Sequence, residues 1–162
     1  MPQLPASAGA RAALGAVAVL ALVAGAAWWA AGPAAAPEGA AGGPRDLARG
    51  EALYAVHCAS CHGAELEGAP DWRTPLANGR LPAPPHDASG HTWHHPDHVL
   101  FAITKLGSAA VVGGGYQSDM PGFAEVMSDA EIRDVLAWIK SSWPERERRH
   151  QAELTRRAGA AP

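Results

Sequence analysis

The stretch HCASCHG, residues 57–63, holds the only two cysteines of this 162-residue chain, Cys58 and Cys61, with His62 directly after them. Three chemistries use a Cys-x-x-Cys. A structural zinc site needs four protein ligands, and His91, His94, His95 and His98 nominally offer the second pair. A redox dithiol opens a helix after a strand, and no strand-like run precedes this one. Covalent haem attachment has Cys-x-x-Cys-His as its signature. There the two thiols become thioethers to the haem vinyl groups and the adjacent histidine binds the iron from the proximal side. A disulfide is a poor use of the pair, because a bridge across two residues closes almost no loop and stabilises little. The haem reading therefore leads, with Cys58 and Cys61 as attachment points and His62 as ligand.

Such a site has to be carried by helices, since only helical periodicities are present. A first helix is predicted over about residues 45–58, with Leu47, Gly50, Leu53, Tyr54 and Val56, and it runs straight into the cysteine motif. A second is predicted from Pro96, a residue suited to a first helical position, through Val99, Leu100, Ile103 and Leu106 to Gly107. A third is the best marked. Ser128 and Glu131 have capping-box spacing, Met127 and Ile132 hold the two staple positions, and Ile132, Val135, Leu136 and Ile139 keep the 3.6 period until Trp143-Pro144. The fold class is therefore all-α. Large apolar side chains are sparse between Pro44 and Trp143, where alanine supplies much of the hydrophobic content, and small domains are already marginal on buried area. The loop over residues 66–95 is long for a compact domain. A large apolar cofactor accounts for both oddities.

The ends have different compositions. After a short N-terminus (residues 1–11), residues 12–31 are charge-free and as a helix span about 30 Å, the thickness of a bilayer core. Arg11 precedes them, and Trp28 and Trp29 close the far side as an interfacial aromatic pair. This reads as an uncleaved membrane anchor, with a cleaved signal peptide as the alternative; both export the rest of the chain. Residues 32–43 form a Gly/Ala/Pro tether. Residues 144–162 read as a charged, solvated, partly helical tail. The formal charge of −3 and pI of about 6.2, without a basic patch, argue against nucleic acid as a partner.

With a helix leading into Cys58-Ala59-Ser60-Cys61-His62-Gly63, a middle helix, Met120-Pro121 in a loop and a capped final helix bearing an aromatic, residues 44–143 resemble a mono-haem class I c-type cytochrome. The resemblance implies one covalently bound haem c, Met120 as the second iron ligand opposite His62, and a crossing of the first and last helices at Gly50 under Trp138. Met1 is the initiator and Met127 has its staple role, so Met120 is the methionine left for iron; the ordinary alternative is a loop methionine filling a gap. His/Met ligation is the electron-transfer pattern. The segment PPHDASGHTWHHPDH departs from the family in its histidine content. Pro96 breaks any helical face through His91–His98, which leaves three readings for these side chains: hydrogen bonding or exposure, a copper site, or replacement of Met120. Trp72 and Trp93 either cap a haem propionate or simply pack.

These features predict an exported, membrane-tethered carrier of single electrons, with no open iron position for catalysis. A redox-protein donor and acceptor are expected, such as a cytochrome bc-type complex and a terminal oxidase, with the haem domain on the periplasmic side. The alternatives are a haem subunit of a periplasmic oxidoreductase and a copper-handling module. If residues 12–31 are an anchor, the native protein is released from membranes by detergent and not by salt. N-terminal sequencing that begins beyond Ala31, on protein released by salt, would refute the anchor.

Overall fold

Asp46 starts the first helix, its carboxylate accepting from Arg49 N at 2.9 Å, and α1 then runs Leu47–His57. The computed structural model describes residues 45–160. After Cys58 a single turn, α2 (Ala59–His62), is stopped by Gly63 in a left-handed conformation, φ 82°. The chain then traverses the long loop, which holds one 3-10 turn (Thr92–His94), before α3 (Asp97–Leu106). Pro96 caps α3 and does not form its first turn. Gly107, φ 86°, ends α3, and a short α4 (Ser108–Val112) follows at once. The capped helix is α5 (Asp129–Ser141), with both halves of the Ser128/Glu131 box formed. Among the described residues there are helices and no strand, as the all-α expectation requires.

The core is built where α1 meets α5. Tyr54, Met127, Ile132, Val135, Ile139 and Trp143 are buried, with Leu66 and Leu100 closing the cluster from the loop and from α3. The contact is close because Gly50 has no side chain: a Cβ there would overlap Asp134 O and lie 3.0 Å from Trp138 Cβ. The Tyr54 ring packs on Trp138 one turn further, with centroids 4.8 Å apart. Buried Asp134 is held from the same helix, accepting from Arg49 Nε at 2.8 Å and from Asp46 N at 3.1 Å. The expected crossing at Gly50 and Trp138 is present, although α5 is followed by another helix.

That helix corrects the reading of the C-terminus. Residues expected to form a solvated, partly helical tail make one helix, α6 (Glu145–Gly159), and it is docked on the 3-10 turn and the start of α3 rather than solvated all round. Its anchor is polar, which is why hydrophobic periodicity does not reveal it. Buried Gln151 donates to Asp97 Oδ1 at 2.6 Å and to His95 O at 3.2 Å, and Thr155 Oγ1 accepts from Asp97 N at 3.1 Å. Lys140 also binds Asp97 at 2.7 Å. Burial acts to raise the Asp97 carboxyl, but the bonds from Lys140 and Gln151 prevail and hold it below its usual range. Glu145–Arg149 and Glu153–Arg157 pairs line the outer face.

The residues assigned to the anchor, 12–31, and to the tether, 32–43, lie outside the described residues. Among those described, no helix is long and apolar enough to cross a membrane. At the helix crossing, Gly50→Leu should cost about 1–3 kcal/mol through overpacking. For a domain of roughly 100 residues each kcal/mol lowers the melting midpoint by about 4–8 °C. A variant melting with its parent while retaining its cofactor would show that the helices do not meet at Gly50.

Candidate functional site

Cys58 is the junction between α1 and the single turn α2, which carries Cys61 and His62, and His62 N donates back to Cys58 O at 2.9 Å. Both thiols are free; Cys58 is buried and Cys61 exposed. Burial, reinforced by neighbouring Cys61, pushes the Cys58 thiol up to about 11. Tyr54 is fixed by the core and donates from its hydroxyl to Gly63 O at 3.0 Å, tying the end of the motif to the α1–α5 contact. Burial, then the nearby Cys58, pushes this phenol well above its ordinary value, so it serves as a neutral donor.

His62 is buried, and its Nδ1 lies 2.8 Å from Pro84 O. A carbonyl can only accept, so Nδ1 carries the proton and Nε2 keeps its lone pair. Burial lowers the imidazole's affinity for a second proton, with the Pro84 bond opposing it. A neutral ring with one committed and one free nitrogen is what an iron ligand must be, and the backbone partner fixes its orientation. His86 stacks on His62, centroids 3.9 Å apart and planes 18° off parallel. Its backbone is held at both ends, N donating to Leu66 O at 2.8 Å and O accepting from Trp143 Nε1 at 2.7 Å. The long loop is folded back tightly to reach this point. Gly68 N donates to His62 O at 2.7 Å and Ala69 N to Ala83 O at 2.8 Å.

Met120 is held by another part of the chain. Its Sδ accepts from Ser108 Oγ at 3.3 Å, its N donates to Ser118 Oγ at 3.1 Å, and the loop behind it packs on Gly107. Asp119, immediately before it, is ion-paired with Arg80 of the long loop. Thus His62 is fixed by Pro84 and His86, and Met120 by the α3–α4 corner.

The remaining histidines do not converge. His91 stacks on Trp72, Arg73 also lies over the Trp72 ring, and the His91 and His95 rings are 5.5 Å apart edge to face. His94 stacks on Trp93, whose Nε1 donates to Ala88 O at 3.3 Å, and both rings meet His150 of α6. Among the described residues no three His, Cys, Asp or Glu side chains are grouped to hold a metal ion. A groove of about 590 Å³ between α3, α5 and α6, floored by Phe101, Leu136 and Ala137, contains none of the motif residues.

A haem fits this donor set. The two thiols of Cys58 and Cys61 would supply attachment, and the free imidazole nitrogen of His62 and the thioether of Met120 are donors of the kind haem iron takes. Two buried nitrogens of the long loop, Arg80 Nε and His86 Nδ1, have no hydrogen-bond partner among the described residues, and a cofactor carrying carboxylates could engage such groups. Pro84, His86, Arg80 and Ser108 were not singled out from the sequence, since each acts through a contact with a distant segment. Among known proteins, the family model described as Cytochrome c matches residues 47–143. No curated protein and no solved structure matches the chain.

The hold on His62 can be tested through Gly90, where a Cβ would overlap Pro85 O and lie 2.8 Å from its carbonyl carbon. Gly90→Ala should displace the Pro84–Pro85 segment and cost about 1–3 kcal/mol, read as a lower melting midpoint with haem attached. An unchanged midpoint would mean this backbone contact is loose.

Proposed function

The chain belongs to the cytochrome c family, so it is a haem-based electron carrier; we propose that it uses one haem c, ligated by His62 and Met120, to pass single electrons between respiratory proteins. Bound there, haem c supplies a one-electron ferric/ferrous couple. Cys58 and Cys61 hold it as thioethers, and His62 Nε2 takes the proximal position. The observation that carries this reading is the His62 Nδ1 bond to Pro84 O, which leaves Nε2 as the sole free lone pair of a buried ring beside two thiols.

Met120 Sδ would supply the second protein ligand to the haem iron. With both faces filled by protein, the ligand set is the same in both oxidation states and no position stays open for a substrate. A thioether ligand favours ferrous iron and raises the potential, which suits a donor to a terminal oxidase fed by a cytochrome bc-type complex. Residues 12–31 keep the domain at the periplasmic face of the membrane, and the tether raises its effective concentration near membrane-bound partners.

The ligand set predicts a weak near-infrared sulfur-to-iron band in the ferric protein. Met120→Ala should abolish the band, lower the midpoint potential and admit carbon monoxide to the reduced protein. Covalent haem should remain, since Cys58, Cys61 and His62 are untouched. A parent without the band, in which His91→Ala or His94→Ala alters the spectrum, would assign the distal position to a histidine and end the high-potential reading.

A further inference from the structure

Three hydrogen bonds and a pair of glycines lock the Met120 loop onto the corner between α3 and α4. Phe123 N donates to Thr104 O at 3.0 Å and Ala124 N to Lys105 O at 3.2 Å, stitching the loop to the unsatisfied carbonyls at the end of α3. Gly107 and Gly122 face each other: a Cβ on Gly107 would lie 2.9 Å from Gly122 N, and one on Gly122 would lie 2.7 Å from Lys105 O. The backbones therefore meet without side chains between them. Ser108, the first residue of α4, is brought by this contact to Met120, and its hydroxyl lies 3.3 Å from Sδ. Ser118 Oγ fixes the Met120 backbone from the other side.

We propose that Ser108 is a positioning residue for the distal ligand, its hydroxyl donating to Met120 Sδ. The inference rests on the reading of Met120 as the iron ligand. A thioether sulfur has two lone pairs. One that accepts from Ser108 leaves the other directed elsewhere, so hydrogen bonding and metal ligation are compatible. Methionine is otherwise the least constrained of the apolar side chains, with three rotatable bonds. A donor on sulfur removes that freedom and fixes which lone pair is offered. It also withdraws electron density from sulfur. The loss weakens donation to ferric iron more than to ferrous iron, so the midpoint potential rises. Outer partners of metal ligands commonly act in this way.

The test uses the full haem-loaded chain and its Ser108→Ala and Ser108→Thr variants. Ser108→Ala should keep the covalent haem, shift the near-infrared band, lower the midpoint potential and let added imidazole bind the ferric protein about tenfold more tightly. Ser108→Thr, which keeps the hydroxyl, should restore all three. A band and midpoint unchanged in Ser108→Ala would overturn the role of Ser108 while leaving Met120 as ligand. Changes that Ser108→Thr does not restore would assign the effect to packing and also overturn it. Absence of the band in the parent would instead remove the Met120 reading, and this inference with it.

Discussion

The close approach of α1 to α5 at Gly50 is the contact on which the rest depends. It exists because one residue lacks a Cβ, so Asp134 backbone can sit where a side chain would be. From that contact Tyr54 is placed on Trp138, and its hydroxyl reaches Gly63 at the end of the cysteine motif. The same helix pair buries Asp134, whose charge is offset by Arg49 and by Asp46 N. A buried carboxylate is costly unless it is paired and hydrogen-bonded, so this pairing specifies register more than it adds stability. Cys58 and His62 inherit their positions from a helix whose packing is decided one and two turns earlier.

The chain puts its chemistry on two walls that are built differently. One wall is local: Cys58 at the α1–α2 junction lies within one turn of Cys61 and His62, and a loop folded back on itself adds the Pro84 carbonyl. The segment holding Met120 is assembled from residues far apart in sequence, with Gly107 and Gly122 allowing its loop to lie directly on the α3–α4 corner. In the reading proposed here, ligation by Met120 joins these walls across the haem. The long loop then has a physical purpose, since it carries both the carbonyl that orients His62 and the arginine paired beside Met120.

The C-terminal helix shows how polar contacts can extend such a domain. Its Glu145–Arg149 and Glu153–Arg157 pairs lie on its outer face, and one buried glutamine with a threonine fastens it to Asp97. Directional bonds and the ring contacts of His150 together hold it in place. It secures the segment between the histidine-rich loop and α3, and it places His150 beside His94 and Trp93.

Sequence alone determined what depends on neighbours along the chain. The cysteine spacing with its following histidine, the capping box at Ser128, the stop at Gly107 and the apolar period of α5 all act within a few residues, so their physics is readable locally. Gly50 and Trp138 were legible too, through the family resemblance, because a close helix crossing demands a small residue under a large one. What only the tertiary structure decided is where distant backbone and polar groups meet. No periodicity announces that Pro84 O binds His62, that Ser108 reaches Met120, or that Gln151 anchors a helix that reads as solvated. A single hydrogen bond between segments needs only one donor and one acceptor, and nearly every residue carries both on its backbone. Such contacts leave no pattern in the sequence, and they become visible only when packing has chosen which groups face each other.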